Sequence, residues 1–112
     1  MPIRRPGGLS IAHLPQQEKT DGRKYRETLS KALTLIRRFQ PEFLLVALGL
    51  DTAKGDPTGT WSLRTQDFQD NGALIGKLKL PTLVIQEGGY NHRNLGIDAR
   101  RFLGGLWSAH HR

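Results

Sequence analysis

The spacing of apolar residues along the chain predicts three helices separated by two strands. Between positions 25 and 39, apolar residues recur every three or four positions, which places one apolar stripe on a helix of about 17 residues. Asp21 is expected to cap the start of this helix, and Pro41 is expected to follow its end. Two further helices are predicted at about 66–77, with Thr65 as the cap, and at about 94–106.

The two strands are predicted from runs that are apolar or β-branched at every position. Phe43–Leu48 and Thr82–Ile85 both lack the alternation of a half-exposed strand, so each is expected to be buried on both faces. A helix joins them, which requires a parallel pair with a right-handed crossover. Two such strands leave sheet edges open, so we expect self-association, a partner at that edge, or loose packing.

The predicted fold class is therefore α/β, a partial open parallel sheet in the order helix, strand, helix, strand, helix. Residues 1–112 are treated as one structural unit, because the chain contains neither an internal repeat nor a convincing linker. Residues 1–20 hold three prolines and two glycines and are expected to form an extended or irregular lead-in.

A polar segment containing glycine follows each predicted strand. Gly49–Thr52 follows the first strand and Glu87–Tyr90 follows the second. In open parallel sheets, functional groups gather beyond the carboxyl ends of the strands, so these two segments are the candidate site. Asp51 is positioned either to bind a divalent cation or to stabilise a turn through its own backbone.

The second polar segment offers close backbone approach and a phenol. Gly88 and Gly89 allow the backbone to adopt positive φ or to approach a ligand closely. Tyr90 either donates a hydrogen bond to a developing oxyanion or packs beneath the last helix. Asp56 and Pro57, in the loop between the first strand and the second helix, are typical of a turn.

Composition narrows the function classes. The formal net charge is +7 and the isoelectric point is near 10.4, but the basic residues are scattered without a run of five or six, so nucleic-acid binding is not favoured. The longest apolar run, Phe43–Leu50, is too short to span a membrane. The chain contains no cysteine, which is consistent with a reducing compartment, and a cytoplasmic location is expected. His110 and His111 are expected to lie in a frayed terminus.

Three segments together resemble the superfamily of acetylpolyamine amidohydrolases and histone deacetylases. They are Pro41–Thr52, with its Gly-Leu-Asp-Thr ending, then Gly55–Pro57, and then Leu80–Asn91, in which Leu-Pro-Thr leads into Glu-Gly-Gly-Tyr. The resemblance is closest to the acetylpolyamine amidohydrolase branch and extends over most of the chain.

The resemblance implies an arginase/deacetylase-like sheet and hydrolysis of N-acetyl amides at a zinc ion. It assigns Asp51 as a zinc ligand, Tyr90 as the catalytic residue that polarises the acetyl carbonyl, and Gly88 and Gly89 as the border of the substrate channel. An acetylated amine, either an acetylpolyamine or an acetyl-lysine, is the substrate that it implies.

The chain departs from the family pattern in one large respect. The family uses an adjacent histidine pair for proton transfer and an Asp-x-His unit for the other zinc ligands, and neither precedes the matched segments here. The chain is therefore expected to be the C-terminal part of a deacetylase, inactive alone. The alternative is a non-catalytic basic module that binds an acidic partner or nucleic acid.

Overall fold

The computed structural model describes residues 2–5, 9–16, 19–54, 62–90 and 92–112. Its elements are β1 (Pro2–Arg5), β2 (Leu9–Ala12), α1 (Gly22–Phe39), β3 (Leu44–Gly49), a short 3-10 turn (Leu50–Thr52), α2 (Thr65–Gly76), β4 (Thr82–Glu87) and α3 (His92–His110). The predicted order of three helices and two strands is confirmed for residues 22–110.

The first helix begins and ends as its sequence predicts. The Asp21 carboxylate accepts a 2.9 Å hydrogen bond from the backbone N–H of Lys24, and this bond lowers the pKa of the Asp21 carboxyl. Gln40 closes the other end with a left-handed backbone conformation, and its N–H donates to carbonyls in the last turn. Leu33 is buried on the predicted stripe, with Leu29 and Ile36 partly buried beside it.

β3 and β4 form a parallel pair, as the helical connection requires. Leu44 lies opposite Thr82, and the register continues to Gly49 opposite Glu87. The backbone N–H of Leu44 also donates to Pro81 O at 2.9 Å, which extends the pairing by one bond. The carboxyl ends of β3 and β4 therefore lie side by side at the same edge of the sheet.

The prediction that both strands are buried on both faces is wrong for the described structure. Leu48 is buried and Val46 and Val84 are partly buried against the helices, whereas Leu45 and Leu83 on the opposite face are 63% and 61% exposed. The described helices pack into one core with only the first of these faces. An apolar run in the sequence thus indicates side chains that are unfavourable in water, but it does not show that the described residues bury them.

The second and third helices pack closely against each other through glycines. A Cβ at Gly72 would collide with the carbonyl oxygen of Phe102, and a Cβ at Gly105 would collide with that of Gln69. A Cβ at Gly76 would lie 2.5 Å from Leu106 O. The absence of side chains at these positions lets the two backbones approach each other, which fixes α3 against α2.

An ion pair joins the first two helices. Arg26 Nη1 lies 2.6 Å from Asp67 Oδ1, and the other oxygen of Asp67 accepts a 2.8 Å hydrogen bond from the backbone N–H of Arg64. Asp67 therefore stabilises the start of α2 while it holds α1. Thr65, which the sequence predicted as the cap, is instead the first residue of this helix.

Two other expectations from the sequence are corrected. Within the lead-in, β1 and β2 pair as an antiparallel hairpin, with Pro2 opposite Ala12. The lead-in expected to be extended or irregular thus contains two paired strands, which the sequence did not predict because four-residue strands carry too little alternation to be recognised. The terminal histidines are not frayed, since α3 runs through His110 and its Nε2 lies 3.1 Å from Leu80 O. Asp56 and Pro57 lie outside the described residues.

Candidate active site

The two polar segments emerge side by side from the ends of β3 and β4. Gly49 and Glu87 are paired in the parallel ladder, so the residues that follow them start from the same edge of the sheet. This arrangement places Asp51 and the Gly88–Tyr90 segment at neighbouring strand ends, as the sequence predicted. Carboxyl ends of parallel strands are the usual position of ligand sites in such sheets.

Asp51 is held by a turn that is anchored in the core. It is the central residue of the 3-10 turn, and the preceding Leu50 is almost completely buried. The turn continues into Ala53, which is also buried and which bridges to Leu63. The Asp51 side chain itself is half-buried, and the hydrogen bonds among the described residues include none to its carboxylate. A turn-stabilising role for this carboxylate has no support in that part of the chain.

Gly88 has the backbone conformation and the space that only glycine provides here. Its φ is +63°, and a Cβ at this position would lie 3.1 Å from Asp51 Cγ and 3.3 Å from Asp51 Oδ2. The backbone of the second polar segment thus passes directly beside the Asp51 carboxylate. A side chain at position 88 would strain the backbone and would press on that carboxylate.

Gly89 continues the same path over the core. Its φ is +98°, and a Cβ would lie 2.5 Å from Leu95 Cδ1 and 3.0 Å from Leu50 Cβ. Leu95 belongs to the first turns of α3, so the two glycines connect the strand end to the helix with no room for side chains. The positive φ expected of Gly88 and Gly89 is therefore confirmed, and no described group identifies a substrate channel.

Tyr90 lies just before α3, on the same edge as Asp51. It is 50% exposed, so half of its surface is covered by neighbouring residues. The two roles that the sequence left open for Tyr90, an oxyanion donor or a residue packed beneath the last helix, both stay predictions. Glu87, the last residue of β4, is also exposed.

The donor atoms near the site do not by themselves make a metal centre. Within residues 2–5, 9–16, 19–54, 62–90 and 92–112, no three His, Cys, Asp or Glu residues cluster closely enough to hold an ion. A catalytic zinc site requires three protein ligands. Asp51 supplies a single carboxylate, so the described residues do not fit a complete zinc site.

A buried polar pair behind the site was not recognised from the sequence. Asp98 on α3 is 3% exposed, and its Oδ1 accepts a 2.8 Å hydrogen bond from the Thr65 hydroxyl. Burial raises the pKa of the Asp98 carboxyl, and the bond from Thr65 partly offsets that rise. The signal was present, because Asp98 follows Leu95 by three positions and precedes Phe102 by four, on the apolar stripe of the helix.

Comparison with known proteins identifies the family. The model of the histone deacetylase domain matches residues 4–106. This chain belongs to the histone deacetylase family. Its relatives include the acetylpolyamine amidohydrolase of Burkholderia pseudomallei, 39% identical over 94 residues, which cover 84% of this chain and 28% of that protein. Acetylpolyamine amidohydrolase 2 of Pseudomonas aeruginosa is 35% identical over 96 residues, which cover 86% of this chain and 28% of that protein.

The three-dimensional comparison agrees with the sequence match. A crystal structure of acetylpolyamine aminohydrolase from Burkholderia pseudomallei superposes with a TM-score of 0.82 at 38% identity, covering 86% of this chain and 28% of that one. The α/β fold class of this histone deacetylase family member is therefore confirmed, as is the resemblance to acetylpolyamine amidohydrolases. The chain spans little more than a quarter of the length of these relatives.

Membership of this family raises the question of a bound zinc ion. Members of the histone deacetylase family are generally zinc-dependent, and Asp51 is a chemically suitable ligand. Among the helices of the described residues, none is both long and apolar enough to cross a membrane.

Proposed function

We propose that this chain forms the part of a zinc-dependent deacetylase that carries Asp51 and Tyr90, and that the complete enzyme hydrolyses N-acetyl amides. The observation that carries the proposal is the proximity of the Asp51 carboxylate to Gly88 at the shared edge of β3 and β4, where a Cβ on Gly88 would lie 3.1 Å from Asp51 Cγ. The match to acetylpolyamine amidohydrolases supports an acetylated polyamine, or an acetyl-lysine of similar shape, as the substrate.

Tyr90 has a hydroxyl group that is suited to stabilise the carbonyl oxygen of an amide substrate. During amide hydrolysis, negative charge develops on the carbonyl oxygen, and a positioned O–H donor stabilises that charge. The Tyr90 side chain carries an O–H donor of this kind, and the residue is half-exposed at the end of the second polar segment. Gly88 and Gly89 keep side chains away from the approach to it.

Asp51 is proposed as one ligand of the zinc ion, which in the complete enzyme would act as a Lewis acid. The described residues contain no group of three metal donors that would include it. No described residue has been identified that would activate water or protonate the leaving amine. This chain alone is accordingly proposed to be inactive.

A chimera tests the proposal. The segment of Burkholderia pseudomallei acetylpolyamine amidohydrolase that matches this chain is replaced by the matching residues of this chain. Turnover of an acetylated polyamine and of an acetyl-lysine peptide is then measured. We expect turnover that falls about 10²–10³-fold on Tyr90→Phe, since one oxyanion donor is lost.

The metal ligand is tested in the same chimera. Asp51→Ala is expected to reduce the zinc content of the purified protein and to abolish turnover, while Asp51→Glu restores part of the zinc. Ser30→Ala, on the exposed side of α1, is the matched control and should change neither. A folded chimera that retains turnover with both Asp51→Ala and Tyr90→Phe would exclude the proposed roles.

A further inference from the structure

The sheet exposes a continuous apolar surface on the side away from the helices. This surface, the outer face, is formed by Phe43, Leu45, Leu83 and Ile85, all of which are exposed. The register places Leu45 opposite Leu83 and Ala47 opposite Ile85, so the exposed side chains lie across from one another on the same face. Large apolar patches of this kind mark interaction surfaces.

Both edges of the same sheet are also available. β3 and β4 make a two-stranded sheet, so within the described residues each strand has a strand partner on one side only. Parallel pairs are normally found inside larger sheets that are covered on both faces. The edges therefore require further strands, and the outer face requires a layer of residues that covers it.

A groove beside α3 is a second exposed surface. A cavity of about 810 Å³ lies between the start of β4 and the exposed side of α3. The residues that line this α3 groove include Pro81, Thr82, Arg100, Leu103, Gly104 and Trp107. Trp107 is 65% exposed and stacks on His111 with ring centroids 3.8 Å apart, so a large aromatic surface faces the opening.

The two sides of α3 differ in a way that marks this groove as open. Gly105 meets the backbone of α2, whereas a Cβ at the neighbouring Gly104 would meet nothing within 4 Å. Leu103, on the same side as Gly104, is also exposed. The helix is thus packed on one side and unpacked on the other.

The comparisons indicate what covers these surfaces. Crystalline acetylpolyamine aminohydrolase contains this fold with a TM-score of 0.82, yet the matched part is 28% of that chain. A second copy of this chain is a poorer occupant because each copy carries a formal net charge of +7. It would also repeat Asp51 without bringing a group of metal donors from its described residues.

We propose that the outer face and the α3 groove together bind the remaining part of a deacetylase-family domain, which pairs strands with the free edges and brings the missing ligands to Asp51. This inference rests on the proposed function. It deepens that function by identifying the partner as a polypeptide of the same family, and it assigns Leu83 and Trp107 to the contact.

The test combines this chain with the complementary part of a relative. The tagged 112-residue chain is co-expressed with the Burkholderia pseudomallei acetylpolyamine amidohydrolase from which the matched segment has been removed. The excised segment of that enzyme, supplied in the same way, is the positive control. Complexes are measured by size-exclusion chromatography with light scattering.

We expect a complex with one copy of each polypeptide. Leu83→Glu and Trp107→Glu should each reduce its recovery at least about tenfold, because a carboxylate would be buried in an apolar contact. Ser30→Glu, which introduces the same charge on the exposed side of α1, should leave recovery unchanged. All three side chains compared are exposed in this chain, and circular dichroism checks that each variant remains folded.

The outcomes separate the surface from the chemistry. A complex that binds no zinc and has no turnover supports the docking surface and contradicts the proposed function. Complementation by the excised segment but not by this chain overturns the docking surface, as does a closed dimer of this chain that excludes the partner.

If the excised segment itself fails to form a complex, the chimera provides a second test, because there the two parts are joined in one polypeptide. In the chimera, Leu83→Glu and Trp107→Glu should lower Tm while Ser30→Glu does not. Unchanged Tm values for the first two variants would overturn the docking surface.

Discussion

The hydroxyl of Thr65, in the first turn of α2, donates a 2.8 Å hydrogen bond to Oδ1 of the buried Asp98 in α3. The bond joins two helices that also meet through glycine contacts, apolar side chains and a 2.9 Å hydrogen bond from Arg101 to Gln69. Since α3 begins at His92, two positions after Tyr90, the position of this helix also limits where the second polar segment of the site can lie. The pair therefore links the stability of the helices to the geometry of the candidate site.

Removal of the Asp98 carboxylate should destabilise the chain. Asp98→Ala leaves Thr65 without this acceptor and opens a small buried space, so we expect the free energy of unfolding to fall by about 1–3 kcal/mol. Urea unfolding followed by circular dichroism measures the change. Asp98→Asn keeps an acceptor oxygen of the same shape and should cost less. An equal loss in both variants would mean that the hydrogen bond is not the cause.

Asp98 also predicts a dependence of stability on pH. Its pKa is raised in the folded state by burial, above the ordinary value of 3.8. The folded state thus binds the proton more tightly than the unfolded state does. This group favours folding most below pH 3.8, and that contribution is lost as pH rises through the folded-state pKa. The wild type should gain stability relative to Asp98→Asn as pH is lowered through this window. A difference that is independent of pH would contradict the assignment.

Adjacent glycines on α3 should respond oppositely to alanine. Gly105→Ala places a methyl group against the backbone of α2 and is expected to cost about 1–3 kcal/mol of unfolding free energy. Gly104→Ala meets nothing within 4 Å and should stabilise the isolated chain by about 0.5–1 kcal/mol, because alanine favours the helix. Thermal melting of the two variants compares them directly. The same sign for both would show that α2 and α3 are not in this close contact.

Gly88 connects backbone conformation to the position of Asp51. Gly88→Ala forces a side chain into a left-handed conformation, at a cost of about 1–2 kcal/mol, and sets its methyl group beside the Asp51 carboxylate. In the chimera with the relative, we expect lower zinc content as well as a lower Tm. Gly49→Ala, whose Cβ would also approach Asp51 but whose φ is −89°, is the control for crowding without backbone strain.

The isolated chain is expected to hydrolyse neither acetylated polyamines nor acetyl-lysine peptides, even with added zinc. One carboxylate does not hold the ion tightly, and proton transfer to and from the reacting groups has no assigned residue. Fluorogenic acetyl-lysine peptides and released acetate provide two independent assays. Zinc-dependent turnover that disappears on Asp51→Ala would show that the chain is catalytically sufficient.

Local sequence rules predicted most of the elements that position the candidate site. The stripe that includes Leu33 and the cap at Asp21 located α1, and the two apolar runs located β3 and β4. The helical connection then fixed their parallel direction, and this direction brings Asp51 next to Gly88 without any further information. Each of these steps depends on short-range spacing or on a topological rule, and both can be read from one sequence.

What escaped prediction depends on contacts between distant residues. The burial of Asp98 depends on Thr65, 33 positions away in the chain. Lys79 is another case, since its Nζ donates to Ala109 O at 2.6 Å and so reaches the last turn of α3. The exposure of Leu45 was also mispredicted, because an apolar residue indicates a need for cover and gives no information about which polypeptide provides it.

The parallel ladder has a consequence for how the chain folds. Every pair in it joins residues 38 positions apart (82 minus 44 for the first pair), so closing it costs loop entropy before any strand contact forms. The contacts between α2 and α3 have a similar separation, since Thr65 and Asp98 are 33 positions apart. Because closure entropy grows only slowly with loop length, neither pairing has an entropic advantage over the other. We therefore expect the parallel pair and the two helices to form together in one cooperative step.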